Sequence, residues 1–217
     1  MSNDAALRRD VEAELEFDPA IEASRIGVAV NDGVVTLTGH VPTFDEKILV
    51  ERAVQRVKGV KAIAEKIEVV LPDHARFDDE EIARRLASLL AWTVPALAHG
   101  VPIKVEGRWV ELSGEVDWNY QKQAAENLAQ RLLGVAGVTN RITVRKQVFP
   151  GNMKDRIAEA FRRNAELDPD NISIAVDGGR VTLSGRVKGW RERNVAENTA
   201  WAVPGVTHVV DRLAVGR

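Results

Sequence analysis

Side chains able to do chemistry are scattered through this 217-residue chain rather than gathered. Its four histidines, His40, His74, His99 and His208, share neither a metal-ligand spacing nor a recurring place, and a metal needs several ligands converging on it. Cysteine is absent, which excludes disulfides, thiolate ligands and thiol nucleophiles. Ser113 and Ser184 fill a place held by Thr38 earlier in the chain, and no histidine recurs beside them to act as a base. The adjacent acids Asp78, Asp79, Glu80 and Glu81 read as a helix start, where the dipole favours negative charge, and not as a catalytic pair. No glycine-rich loop leads into a helix carrying Lys-Ser or Lys-Thr, and Gly178-Gly179 reads as a hairpin turn. The reading assigns no catalytic residue, no cofactor and no metal site.

Aromatic and basic side chains remain. Trp190 lies among Arg186, Lys188, Arg191 and Arg193, Trp118 holds nearly the same place in mid-chain, and Phe44 is their counterpart nearer the N-terminus. An indole with basic neighbours at a helix mouth suits an anionic headgroup layer, the ring at the interface and the cations on phosphates. The same rings also suit a structural role, covering a sheet edge or stapling a helix start, and the sequence leaves both readings open. Trp92 ends an apolar helical stripe and is expected in a core or between units, whereas Trp109 and Trp201 are expected at partly exposed surface.

The elements that must position these residues are written three times. Val35-Thr-Leu-Thr-Gly39-His-Val41 recurs as Val110-Glu-Leu-Ser-Gly114-Glu-Val116 and Val181-Thr-Leu-Ser-Gly185-Arg-Val187. Twenty residues after each motif glycine stands a second one, Gly59, Gly134 and Gly205, each followed by valine. Such a long period means tandem small domains, not a solenoid of single supersecondary units.

Each copy predicts an amphipathic first helix, from Leu7, Val11 and Leu15, then Ile82, Leu86 and Leu90, then Met153, Ile157 and Phe161. Asn152 is placed to cap the third, and Asp18-Pro19, Val94-Pro95 and Asp168-Pro169 are expected to stop the three helices. A hairpin follows, turning at Asp32-Gly33, Gly107-Arg108 and Gly178-Gly179, with the motif glycine marking a bulge or a close backbone approach. Thr43 to Glu46 reads as a capping box, and Gly189 to Glu192 as a weaker one. The second helix is expected to bury Leu49, Ala53 and Val57, then Ala124, Leu128 and Leu132, then Val195, Thr199 and Val203. Gly59, Gly134 and Gly205 end it as C-caps, and a last strand follows. The expected fold is α+β: three α-β-β-α-β units over residues 3–71, 77–146 and 153–217, each with two helices on one face of a three-stranded mixed sheet. Short linkers join them near residues 71–76 and 147–151.

The formal charge of −2 conceals a gradient of −4, 0 and +2 across residues 1–72, 73–148 and 149–217. That is too mild to point to nucleic acid. The first residues carry no apolar secretory core, and no run approaches a membrane span, so the expected location is cytoplasmic.

The order of elements, with V-x-L-x-G-x-V after a tight turn and a later Gly-Val, resembles the BON domain (bacterial OsmY and nodulation) over nearly the whole chain. The resemblance implies an OsmY-like, non-enzymatic module tied to phospholipid surfaces, envelope integrity and osmotic or general stress. It implies an anionic phospholipid or an envelope protein as partner, and one relative with a single copy binds potassium, so a monovalent cation is the alternative ligand. The candidate lipid-contacting residues are Trp190, Arg186, Lys188, Arg191, Arg193 and Trp118. Neither the oligomeric state nor the arrangement of the units follows from the sequence.

Overall fold

The structure, a computed structural model, describes residues 3–71, 77–93, 101–146 and 151–216. The linker residues 72–76 and 147–150, the Val94-Pro95 helix stop, His74 and His99 lie outside the described residues. Three three-stranded sheets occur, in spatial order β1-β2-β3, β4-β5-β6 and β7-β8-β9. The chain runs α1 Asn3–Phe17, β1 Ile26–Asn31, β2 Val34–Val41, α2 Phe44–Arg56 and β3 Ala62–Val69. The pattern repeats as α3 Asp79–Thr93, β4 Ile103–Glu106, β5 Trp109–Val116, α4 Asn119–Arg131 and β6 Gly137–Val144. Its third copy is α5 Met153–Arg163, β7 Ile172–Asp177, β8 Arg180–Val187, α6 Trp190–Trp201 and β9 His208–Val215. The protein is α+β, three α-β-β-α-β repeats. By its internal contacts the chain divides into two compact units, residues 1–113 with 125–141 and residues 114–124 with 142–217. The first and third repeats each lie wholly inside one unit and display the fold in full.

In the first repeat β2 is central, antiparallel to β1 from Ile26↔Gly39 to Asn31↔Val34 and parallel to β3 from Val34↔Ala62 to Val41↔Val69. The third repeat keeps that register, Ile172↔Gly185 and Val187↔Val215 included. Alternation sends Val35, Leu37 and Val41 inward to meet Leu7, Val11 and Leu15 of α1, all buried. Val181, Leu183 and Val187 meet Ile157 and Phe161 in the same way. Each such side chain contributes roughly 1.5–3 kcal/mol on burial.

In the first and third repeats the motif glycine marks a close approach and not a bulge, since the parallel pairing with the last strand runs through it without an extra residue. A Cβ on Gly39 would stand 2.0 Å from the Arg25 carbonyl oxygen, and one on Gly185 would stand 2.1 Å from that of Asn171. Both glycines hold φ of +125°, a region closed to side chains. Gly59, Gly134 and Gly205 take positive φ in the turn just beyond the second helix, and the next valine N–H closes that turn.

Two expectations need correction. Ala53 and Val203 are buried as expected, but the rest of the buried line lies one residue further on: Val50 and Val54 in α2, Ala125 and Ala129 in α4, Ala196 and Ala200 in α6. The closest approach is filled by small alanines, while bulkier Leu49, Leu128 and Val195 flank it half-buried. Large residues dominate a periodicity reading, so they drew the stripe to the wrong line. The third first-helix ends at Arg163, well before Pro169. Asn164 stops it by accepting the Glu166 N–H, as Asp18 accepts that of Ala20 at the same repeat position. Pro169 instead opens a single 3-10 turn leading into β7.

Candidate binding surface

Three buried polar residues hold each second helix to its surroundings, and all stand seven residues after the motif glycine: Glu46, Gln121 and Glu192. The Glu192 carboxylate accepts the N–H groups of Asp168 at 3.0 Å and Lys188 at 2.6 Å. Glu46 accepts the N–H of Glu22 at 3.0 Å, and the Gln121 amide oxygen accepts those of Asp117 and Trp118. Thr43 does cap α2, accepting the Glu46 N–H at 3.1 Å. Glu46, however, reaches 24 residues upstream to Glu22 and not back to Thr43, so only half of a capping box forms.

A second device recurs twice. The Asp4 carboxylate, at the start of α1, accepts the N–H groups of Asp32 and Gly33 in the hairpin turn. Asp79 does the same for Gly107 and Arg108, at 2.8 Å each. The acid read as a helix-dipole partner is therefore also a turn clamp. Pro150 stands at that place in the third copy.

A cation on α2 and another on α6 each lie over an acid of the last strand. Lys47 donates to the Ile67 carbonyl at 2.8 Å and lies 3.6 Å from Glu65. Burial raises the Glu65 carboxyl above its ordinary range, against the lowering effect of Lys47. At the same position in the third copy, Arg193 binds Asp211 and lies 5.1 Å over the Trp190 ring. An inward-pointing charge on an edge strand also discourages sheet-to-sheet pairing.

The candidate residues thus fall into two groups. Trp190 is half-buried beneath Arg193, and Trp190, Arg193 and Asp211 tie α6 to β9. Arg191 pairs with Glu166 through two bonds of 3.0 and 2.9 Å, and Lys188 lies 3.3 Å from Asp168. The bonds and charge of Arg191 hold Glu166 below the usual carboxylate range, and Glu166 raises Arg191 in turn. Arg186 is exposed and has no acidic partner among the described residues. Lys188, Gly189, Arg191, Glu166 and Glu192 together line one shallow depression. Trp118 stands one residue earlier in the register than Phe44 and Trp190, at the place of Thr43, and is more open, with exposed Tyr120 two residues on.

Trp92 corrects the expectation of burial: it is 88% exposed. It lies two residues past buried Leu90, about 200° around the helix, and so points away from the core. Phe17 holds the same place in the first copy, 22 residues before the motif glycine, and is 83% exposed. Counting back from the motif glycine would have found both. Trp109 is half-exposed, its ring filling the space a Cβ on Gly137 would take and its Nε1 donating to Thr139 at 2.8 Å. A ring covering a glycine on the neighbouring strand is a sheet-stabilising arrangement. Trp201 is half-buried against the third core. His40 and His208 are exposed, and no group of three His, Asp or Glu side chains able to hold a metal occurs among the described residues. No helix among them is long and apolar enough to cross a membrane.

With the repeat laid out, the family model described as BON domain matches residues 3–70, 78–146 and 151–217. The chain belongs to the BON domain family. This BON chain is 28% identical over 143 residues to osmotically-inducible protein Y of Escherichia coli (strain K12), covering 64% of the chain and 71% of the relative. Among solved structures it is similar to CdsD, a structural protein of the type III secretion system of Chlamydia trachomatis, at 17% identity, 97% and 92% coverage and a TM-score of 0.26. It is also similar to the periplasmic domain of the type III secretion inner-membrane protein PrgH from S. typhimurium, at 13% identity, 94% and 100% coverage and a TM-score of 0.25. Scores that low carry no argument about fold or function.

Proposed function

We propose that this BON protein is a non-catalytic protein of osmotic or general stress that associates with anionic phospholipid surfaces by several weak contacts. The observation that carries the proposal is the pair Phe17 and Trp92, one residue position in two repeats, each presenting an almost fully exposed ring. Family membership and the likeness to an osmotically inducible protein support the stress context. Exposed rings suit the membrane interface, and single weak anchors become useful only when several engage together. Arg186 offers a cation with no acidic partner among the described residues, and Lys188 and Arg191 offer two more held by ion pairs near the surface. Such pairs are worth about 0–1 kcal/mol, so lipid phosphate can replace their carboxylates. Trp118 and Tyr120 add apolar surface at the mouth of α4.

The test is co-sedimentation with phosphatidylglycerol vesicles. Binding is expected, weakened by added salt and reduced by Phe17→Ser with Trp92→Ser and by Arg186→Ala. Equal binding to neutral vesicles, or no loss in the double variant, would overturn the reading. Stabilisation by potassium but not sodium, without vesicle binding, would favour a monovalent-cation site instead.

A further inference from the structure

The first helix of every repeat carries one outward stripe, 31, 27 and 23 residues before the motif glycine, and its chemistry differs in each copy. It reads Arg8, Glu12, Glu16 in the first, Ala83, Ala87, Ala91 in the second and Lys154, Ala158, Arg162 in the third. In the third copy the stripe borders a groove of about 460 Å3 between α5 and β7, with Phe161, Ile172 and Ile174 among its lining. Lys154 and Arg162 are exposed and have no acidic partner among the described residues. The corresponding Arg8, by contrast, is neutralised by Glu12 at 2.8 Å. One carboxylate, Asp170, also lines the groove, at the Pro169 end.

The other wall of the groove is a sheet edge, because β7 pairs only with β8. The two-residue turn makes Asp177↔Arg180 a bonded pair, and alternation then directs the backbone groups of Val176, Ile174 and Ile172 away from β8. The Ile172 N–H already donates to the Pro169 carbonyl. The carbonyl of Ile172 and both polar groups of Ile174 and Val176 face outward. Unpaired strand groups beside a helix with an apolar floor form the arrangement that accepts an added peptide strand.

We infer that the groove between α5 and β7 docks an extended acidic segment of another protein as an additional strand, its carboxylates lying against Lys154 and Arg162. The backbone supplies affinity without sequence preference, and the two cations select the sign of charge. The first copy's corresponding groove is lined by Arg8 and Arg9 together with Asp4, but Arg8 is paired with Glu12, and the second copy's stripe is alanine. The pair of stripe cations with no acidic partner among the described residues therefore belongs to the third repeat. This site goes beyond the lipid reading and stands or falls separately from it.

The experiment is fluorescence anisotropy of the full chain with a labelled, end-blocked octapeptide of alternating glutamate and valine. Three comparisons accompany it: the peptide with lysine replacing glutamate, the peptide N-methylated at alternate amides, and phosphatidylglycerol vesicles. Saturable binding of the acidic peptide is expected, with at least about a tenfold loss in Lys154→Glu plus Arg162→Glu and a comparable loss on N-methylation. Both substituted side chains are exposed, and circular dichroism checks that the fold is kept. No peptide binding, binding indifferent to N-methylation, unchanged affinity in the double variant, or binding of vesicles alone would each overturn the inference.

Discussion

Replacing Glu192 by alanine should unfasten the third repeat and replacing it by glutamine should do so only in part, because the carboxylate uses both of its oxygens. Glu192 is 7% exposed and accepts two backbone N–H groups, one from the loop before β7 and one from the end of β8. Hydrogen bonds to a charged acceptor are worth about 1.5–3 kcal/mol each, less where water can replace the acceptor. Both amides lie in part-buried surroundings, so a total of about 2–4 kcal/mol is expected for the alanine variant. The two N–H groups bind different carboxylate oxygens, so glutamine, with one acceptor oxygen, keeps only one of the bonds and is expected to cost less than alanine, about 1–2 kcal/mol. A tandem protein need not unfold in one step, so local hydrogen exchange is the better readout. Amides of β7 and β8 should exchange about 30- to 700-fold faster in Glu192→Ala, with little change in the first repeat. Unchanged protection in the alanine variant, or equal damage from glutamine, would refute the argument.

Gly185→Ala should cost about 3 kcal/mol or more, because the new Cβ meets the Asn171 carbonyl as well as a left-handed backbone. Gly151→Ala is its control, with φ of +120° but open space around it, and urea titration should show it costing about 1 kcal/mol. Asp79→Ala removes both acceptors of the Gly107-Arg108 turn; a loss of about 1–2 kcal/mol should appear as faster exchange at those two amides. Glu65 has a carboxyl raised above its ordinary 4.5 by burial, so its ionisation opposes folding. Stability should therefore fall as pH rises through the window from 4.5 to the raised value. Glu65→Gln should remove that fall, raising the melting temperature at neutral pH and leaving it unchanged below pH 4.5, as read from melting temperature against pH.

The fold was legible because backbone requirements leave marks in residue type. A glycine facing a carbonyl, a two-residue turn and an alternating strand each admit few residues, so Gly39 and Gly185 reported the register of the first and third sheets. The buried line of α2, α4 and α6 was not legible, since alanine carries little hydrophobic weight and Leu49 or Leu128 draws the eye to the flank. Pro169 was misread as a helix stop for a related reason. The short Asx turn at Asn164 does the stopping, and asparagine in a polar stretch is a weak signal. The cations around Trp190 were visible, but their acidic partners Glu166, Asp168 and Asp211 lie 18 to 25 residues away in sequence. Only tertiary folding brings them together.

The three copies divide into an interior that does not vary and an exterior that does. Glu46 and Glu192 bind the loop before the first strand to the helix mouth and Gln121 binds the helix mouth alone, while Lys47 and Arg193 share a second job. The outward stripe of the first helix is free of that demand, and it is there that the copies part: mixed charge, then alanine, then basic. The ring at the end of that helix behaves alike, aromatic as Phe17 and Trp92 but cationic as Arg163. Solvation alone would be satisfied by any polar residue at these places and would not put phenylalanine and tryptophan at equivalent open positions. Repetition fixes the scaffold, and divergence on the first helix is where the proposed contacts of the copies differ: aromatic insertion for the first two, recognition of an acidic segment for the third.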